Sequence, residues 1–192
     1  MPGKKLLSIS VEESAKTRHY WASRPSLQES TIRKILSSEV LIVPWENRSG
    51  TGDTFPEGTS DFTHRLSKTL GQGKVALAIE QADYQELSLH ADRVYWPTMA
   101  IASIMFGVFA GVIANEITAL IRQPKPPETL EMKLIVENAS GVCISIDYQG
   151  PPLRALETIV AEAKTCFPEE IEYEPELEAM VDDDKHDAGE RK

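Results

Sequence analysis

The sequence predicts an α/β fold: a small layered domain with a mainly parallel sheet and a central apolar helix, plus a ββα appendage. Three observations support this prediction. Short β-branched runs alternate with segments of helical periodicity before residue 94. A long segment without charge follows them, and two more apolar runs then precede an amphipathic segment. We therefore divide the chain into an α/β domain (1–122) that includes an apolar helix at 94–121, the ββα unit (131–167) and an acidic tail (168–192).

The first elements are a short strand, a helix and a buried strand. Leu6–Val11 has the composition of a short strand. We predict that Ser26 caps the following helix, because Glu29 lies three residues later and would complete a capping box. The run Val40–Val43 is continuous and rich in β-branched residues, which is typical of a strand buried on both faces.

A second helix and a second buried strand repeat this order. Phe62, Leu66 and Leu70 recur one turn apart and Gly71 follows them, so we predict a helix over Ser60–Leu70. The run KVALAIE predicts the next buried strand, and DYQELSLHADRV predicts a helix, or a helix and a turn, after it. Strands that alternate with helices in this way favour a largely parallel sheet.

The segment 131–167 has the pattern of a hairpin followed by a helix. The runs MKLIVEN and GVCISIDY flank a loop that contains glycine, which predicts two antiparallel strands. The next segment, GPPLRALETIVAEAKTCF, places prolines at a helix start and apolar residues on one face. Beyond Pro168 the chain is acidic, and we expect disorder there.

The uncharged segment 94–115 is either a membrane span or a buried helix. As a helix it would extend about 33 Å, which is enough to cross a hydrocarbon core. However, Asn115 and Glu116 interrupt the apolar run, and a carboxylate in lipid is expensive. The charges on its two sides would require export of the preceding α/β domain, although the N-terminus does not have the pattern of a signal peptide. These points favour a helix buried in protein, with the membrane span as the alternative.

Small residues within this segment predict self-association. Ser103, Gly107 and Gly111 recur every four residues, a spacing that lets two helices approach closely. Each glycine costs about 1 kcal/mol relative to alanine in a helix, and close packing usually offsets that cost. We therefore expect a homo-oligomer built partly on this face.

Charge and cysteine content exclude several functions. The net charge is −10, and the segment from Glu169 to Lys192 carries eleven acidic and three basic residues, so the rest of the chain is nearly neutral. Nucleic-acid binding is therefore not expected. Cys143 and Cys166 lack a CxxC pattern, which predicts free thiols in a reducing compartment. The histidines do not fall at metal-ligand spacing, so neither a metal nor a cofactor is predicted.

The loop from Trp45 to Ser60 is the candidate ligand-binding site. It follows the carboxyl end of a buried strand, where ligands bind in open α/β sheets. It offers acidic side chains as potential ligand-binding groups, and a histidine follows in the next helix; these residues are Glu46, Asp53, Asp61 and His64, with Glu57 considered below. The simpler interpretation is a polar surface loop whose side chains form turns and cap a helix.

The run SGTGDTFPEGTSDF between a strand and a helix, followed by GQGKVAL, resembles nucleoside deoxyribosyltransferase-like proteins. That resemblance implies that Glu57 is a catalytic carboxylate that acts on a glycosidic bond. The sequence as a whole favours a non-catalytic, cytoplasmic binding or assembly module that pairs with itself or with another protein. A single-span membrane-anchored protein and this nucleoside-directed enzyme are the two alternatives.

Overall fold

The computed structural model describes residues 7–46, 50, 52–89, 93–141, 143–169 and 171. Within these residues the strands are Ser8–Glu13 (β1), Val40–Val43 (β2), Phe55–Pro56 (β3), Val75–Leu77 (β4), Glu86–Leu87 (β5), Arg93–Tyr95 (β6), Thr98–Ala102 (β7), Thr129–Glu137 (β8) and Cys143–Gly150 (β9). The helices are Arg18–Ala22 (α1), Glu29–Ser37 (α2), Thr59–Leu70 (α3), Phe106–Ile121 (α4) and Pro152–Cys166 (α5). The predicted acidic tail lies outside the described residues from position 172 onward.

One mixed sheet of seven strands organises the fold. Its order is β1-β9-β8-β7-β2-β4, and β6 also pairs with β8. The prediction of a mainly parallel sheet is wrong, because most of the paired residues belong to the antiparallel pairs β1–β9, β8–β9 and β2–β7. Parallel pairing joins β2 to β4 across α3 and β7 to β8 across α4. Helices cover both faces of the central strands, so continuous apolar runs arise here without a parallel sheet.

Two hydrophobic clusters lie on opposite faces of the sheet. Met99 and Ile101 of β7 point into the larger cluster, which α3, α4 and α5 cover. Ala100, between them, points into the smaller cluster under α1 and α2, where Trp21 and Ile35 are almost fully buried. This alternation is the two-residue period of a strand with both faces covered.

The ββα segment is part of the same sheet and is not an appendage. Its first strand, β8, pairs with β9 on one side and with β7 on the other, with Ala100 opposite Ile135. Its helix, α5, packs beside α4, and Ala155 and Ala163 of α5 are fully buried. The hairpin and helix elements themselves were predicted correctly, but their role in the fold was not.

The apolar helix is shorter than the predicted 94–121. Residues 93–102 form β6 and β7, two consecutive segments that both run parallel to β8 and are separated at Trp96 and Pro97. Proline has no N–H and clashes within a helix, so Pro97 was the local signal against the longer helix. A 3-10 turn at Ser103–Met105 then leads into α4. The helix predicted from DYQELSLHADRV is also absent from its described part, which holds a short 3-10 turn and β5.

Candidate functional site

Two of the predicted ligand-binding residues, Glu46 and Asp53, lie beside α1. The hydroxyl of Tyr20 donates to Glu46 at 2.6 Å, and Lys16 forms an ion pair with the same carboxylate. Asp53 forms an ion pair with Arg24. Both carboxylates therefore contact the segment 16–24, which contains α1.

The contacts of Glu46 favour its ionised form. Burial raises the pKa of Glu46, but hydrogen bonds from Lys16 and Tyr20 and the charge of Arg24 outweigh it and bring the pKa below its ordinary value. The same hydrogen bond raises the pKa of Tyr20. A carboxylate with a lowered pKa is a poor general acid, so Glu46 is suited to structural ion pairing.

The remaining predicted residues of this site lie at the start of α3, on the surface. Glu57 is exposed and accepts a hydrogen bond from the hydroxyl of Ser88. Asp61 and His64 are exposed on α3. In the described part of the chain, no hydrogen bond or ion pair joins these three residues to Glu46 or Asp53.

A face of α4 points to solvent and carries no charge. Ile104, in the turn before the helix, is 83% exposed, and Val108 is 57% exposed. Gly111, Asn115 and Ala119 follow at intervals of three or four residues and are also exposed. We call these five residues the α4 stripe. The opposite side of α4 is buried against the sheet and its neighbouring helices.

The three residues predicted to pack helices together have different surroundings. Ser103 is 3% exposed and Gly107 is half-buried, so their places in the fold are largely internal. Gly111 faces open space: a Cβ built on it would meet no atom within 4 Å. Ile104, Val108, Asn115 and Ala119 were missed as surface residues, because a run with no charge gives little sign of which side of the helix faces outward.

The segment Ser103–Ile121 is long and apolar enough to cross a membrane, by length and composition. In the fold, 39% of an 18-residue stretch of this segment is buried. Phe106 and Ile113 belong to the core and are each 1% exposed, so protein covers one side of the helix. The composition alone therefore does not distinguish a membrane-spanning helix from a core helix that has one exposed face.

Neither cysteine has the lowered pKa of an activated thiol. Burial raises the pKa of the Cys143 thiol to about 12, and burial also raises the pKa of Cys166. Both are free thiols. Within the described ranges, no group of three or more His, Cys, Asp or Glu side chains is arranged to hold a metal ion.

A polar recess of about 330 Å³ lies on the same face of the sheet as α1 and α2, beside the part that those helices cover. Lys133 and Asp147 form an ion pair at 2.8 Å across its floor, while Trp45 and Tyr95 pack edge to face beside it. Paired charges next to aromatic rings suit a neutral polar molecule better than an ion. The recess was missed because polar positions such as Lys133 and Asp147 lie within runs that were interpreted only as apolar strands.

Comparisons with protein family models, with curated proteins and with solved structures find no match to this chain.

Proposed function

We propose that the chain is a non-catalytic assembly module that pairs with a second copy of itself through the α4 stripe. The observation that carries the proposal is Gly111, which lies in the middle of this uncharged surface and faces open space. A glycine inside a helix costs about 1 kcal/mol relative to alanine. Since no neighbouring atom within the described chain requires the small residue, a partner backbone supplies a reason for it.

The α4 stripe is complementary to itself in an antiparallel helix pair. If two α4 helices cross at Gly111, Ile104 lies opposite the partner's Ala119, and Val108 lies opposite the partner's Asn115. The two residues of each pair differ by only one position in their distance along the helix from Gly111. Each pair also places a larger side chain against a smaller one. No charge of the stripe meets a like charge, because the stripe has none.

The size of this surface sets the expected strength of pairing. Fully burying an aliphatic side chain contributes about 1.5–3 kcal/mol, and the stripe has two large ones, Ile104 and Val108. A contact limited to one helix face falls in the class of small interfaces, below about 1,200 Å². We therefore expect reversible pairing whose extent depends on protein concentration.

The test is Val108→Glu, measured by light scattering across a dilution series. This variant places a carboxylate one turn from the crossing point at Gly111, so we expect the mass of a monomer at concentrations where the unaltered chain is a dimer. Ser60→Glu, on the exposed face of α3, is the matched control and should leave the mass unchanged. A Val108→Glu variant that keeps the dimer mass would contradict the proposal.

Membrane anchoring through the same helix is a second proposal, and it predicts a different result. It is supported by the length and composition of Ser103–Ile121. An anchored chain would float with lipid vesicles in a density gradient and would need detergent to dissolve. Pairing in a cytoplasmic protein predicts a chain that stays in the soluble fraction without detergent.

A nucleoside-directed enzyme acting through Glu57 is the third proposal. Its support is the resemblance of the loop sequence, together with the exposed position of this carboxylate. Incubation with a panel of nucleosides, with release of free base as the readout, tests it. A signal that Glu57→Gln abolishes would favour the enzyme, and the absence of any signal would exclude this activity for the panel.

A further inference from the structure

The floor of the polar recess is formed by alternate residues of two paired strands. In β8 the even-numbered residues from Leu130 to Val136 are buried in the larger core cluster, so the odd-numbered residues lie on the opposite face. On that face Ile135 belongs to the cluster under α1 and α2, whereas Lys133 and Glu131 lie beyond those helices and are half-buried. The sequence therefore changes from apolar to polar on one face of the sheet, where its covering helices end.

The strand register arranges the polar side chains of this floor in two rows. Lys133 lies opposite Asp147, and Asp147 lies opposite Ser10 of β1. In the next row Glu131 lies opposite Gln149. Neighbouring strands are about 4.8 Å apart, and residues two apart on one strand are separated by about 6.7 Å. The floor is therefore a grid of polar groups on the scale of one small ring-shaped molecule.

The two carboxylates of the floor keep an oxygen that the described contacts do not use. Lys133 Nζ and Ser145 Oγ both donate to Oδ2 of Asp147, at 2.8 Å and 3.4 Å, so Oδ1 has no partner in the described chain. Arg93 donates to Oε1 of Glu131 at 2.6 Å, and Oε2 likewise has no described partner. The side chains of Lys133 and Asp147 are 40% and 42% exposed, so a solute can reach them.

The charges of the floor are balanced, which bears on the charge of its ligand. The two ion pairs, Lys133–Asp147 and Arg93–Glu131, bring equal numbers of positive and negative charges to the recess. An anion would therefore approach two carboxylates, and a cation would approach two bases. A hydroxyl group both donates and accepts hydrogen bonds, so a neutral polyhydroxyl molecule can use the remaining donors and acceptors while both ion pairs stay intact.

Trp45 and Tyr95 form an aromatic wall beside this floor. Their ring centroids are 6.0 Å apart and their planes are inclined by 84°, and both side chains are half-buried. Perpendicular rings form a corner, whereas a planar base is best enclosed by a parallel slot. The C–H face of a saturated sugar ring can pack on one aromatic ring while its hydroxyl groups reach the polar floor.

We infer that the polar recess binds one neutral hexopyranose residue, either as a free sugar or within an oligosaccharide. The aromatic wall contacts the C–H face of the sugar. Asp147 Oδ1 accepts a hydrogen bond from one hydroxyl group, and Lys133 Nζ donates to another. The volume of about 330 Å³ lies at the lower end of the range for small-molecule pockets, about 300–1,000 Å³, which suits a single sugar residue.

This site is separate from the α4 stripe. The recess lies on the sheet face that carries α1 and α2, whereas α4 covers the opposite face. Val108→Glu, which we expect to be monomeric, should therefore bind the same sugar with the affinity of the unaltered chain. Sugar binding and pairing can each fail without the other.

Titration of the full chain that carries Val108→Glu, followed by amide chemical shifts in NMR, tests the inference on a monomer. The methyl glycosides of glucose, galactose and mannose are the free-sugar probes, and maltotetraose, cellotetraose and mannotetraose are the oligosaccharide probes. We expect at least one neutral probe to bind with a dissociation constant of about 1 mM or lower and to shift amides of β8 and β9. Tighter binding in one set shows whether the recess takes a free sugar or a residue of a longer chain.

Two substitutions then test the wall and the balanced charges. Trp45→Ala should weaken binding about tenfold, whereas Trp45→Phe keeps an aromatic face and should bind within about threefold of the parent. Asp147→Asn leaves Lys133 unpaired. It should weaken binding of the neutral glycoside and shift the preference toward methyl glucuronide, an anionic probe, by about tenfold. Partial unfolding would weaken binding of both probes and would not produce this change of preference.

Glu12→Gln is the matched control for Asp147→Asn. Glu12 lies opposite Ser145 on the same face of the sheet, but it is not among the residues that line the recess. Its loss of one carboxylate charge should change neither the affinity nor the preference. The inference is overturned if no neutral probe binds at about 1 mM, or if the shifted amides lie outside β8 and β9. It is equally overturned if Trp45→Ala binds as tightly as the parent, or if Asp147→Asn behaves like Glu12→Gln.

Discussion

The two crossover helices, α3 and α4, have the same place in the fold but differ in the surface they present. Each connects two parallel neighbouring strands, β2 to β4 and β7 to β8, and both cover the same face of the sheet. Phe62 and Leu66 of α3 and Ile113 of α4 are buried in one cluster. Burial against the sheet therefore constrains their inner faces in the same way.

Their outer faces have different chemistry. The exposed positions of α3 include Asp61, His64 and Lys68, as expected of a face in contact with water. The α4 stripe includes no charged residue. Single exposed apolar residues are common and need no explanation. A continuous uncharged stripe on α4 does need one, because the corresponding face of α3 is charged. The difference indicates that the fold itself does not require the α4 stripe.

The two helices also begin differently. The carboxylate of Glu86 accepts hydrogen bonds from the backbone N–H groups of Gly58 and Ser60, both at 2.8 Å, at the start of α3. α4 continues from a 3-10 turn, and neither a side-chain cap nor an acidic residue is present in its first turn. A distant residue thus stabilises the start of α3, whereas α4 depends on its buried side.

The largest expected effect contrasts the two sides of α4. Ile113→Ala should lower the free energy of unfolding by about 2–5 kcal/mol, because it leaves a cavity in the core. Val108→Ala should change it by less than about 0.5 kcal/mol in dilute protein, where the stripe is unpaired. Urea unfolding monitored by circular dichroism measures both. The corresponding pair on α3, Leu66→Ala and Lys68→Ala, should show the same contrast, and equal effects on the two sides would remove the distinction between faces.

The same two helices show what the sequence could and could not predict. α3 was predicted to within one residue, because Phe62 and Leu66 repeat at helical spacing before a glycine. The prediction for α4 included twelve further residues, 94–105, of which seven are strand, because the absence of charge is common to buried helices and buried strands. Pro97 within that segment carried the missing information.

Strand direction and the loop contacts could not be predicted from local sequence patterns. Whether β2 and β7 run parallel depends on the path of the whole chain, and no local pattern of apolar residues encodes it. Glu46 and Asp53 were predicted as members of one ligand-binding loop, whereas their ion-pair partners, Lys16 and Arg24, lie on a preceding segment of the chain. Only the tertiary structure brings those charges together.

Removing the cap of α3 is the second expected effect. Glu86→Gln should lower the free energy of unfolding by about 1 kcal/mol at pH 7, because the charged acceptor of two backbone N–H groups is lost. A weaker far-ultraviolet circular dichroism signal would show that helix is lost. Urea unfolding measures the change in the free energy of unfolding. Glu12→Gln, at an exposed carboxylate that makes no hydrogen bond or ion pair with the described residues, is the control for a simple change of net charge.

The cap also predicts a pH dependence. Burial raises the pKa of Glu86, but hydrogen bonds from Tyr84 and from the Ser60 and Gly58 backbone outweigh it, so the pKa lies below the ordinary 4.5. A lowered pKa in the folded state contributes stability that is complete above pH 4.5 and is lost as the pH falls through the folded value. The difference between the unaltered chain and Glu86→Gln should therefore vanish at the acid end. A constant difference from pH 7 to pH 3 would contradict this role.

A third effect separates folding from pairing at Gly111. Gly111→Ala should raise the stability of dilute protein by up to about 1 kcal/mol, because alanine favours the helix and a Cβ meets nothing within 4 Å. The same change should weaken pairing, since it separates the two helices. Gly71→Ala at the end of α3 should instead destabilise, because its φ of 112° disfavours a side chain. If Gly111→Ala is less stable than the unaltered chain at low concentration, then the space around the Cβ of residue 111 is occupied.

The smallest effect concerns the one ion pair that joins the two helices in the described chain. Arg65 Nε donates to the Glu116 carboxylate at 3.0 Å and 3.2 Å, but Arg65 is 52% exposed. A double-mutant cycle with Glu116→Gln and Arg65→Gln should give a coupling of about 0.2–1 kcal/mol. The cycle is needed because Arg65 also lies over the Phe62 ring, so its single substitution removes more than the ion pair. The coupling should fall in 1 M salt, where charges are screened within about 3 Å. If the coupling free energy is unchanged in high salt, the ion pair between α3 and α4 is shielded from solvent. The groove between the two helices would then differ from the exposed, charged face of α3.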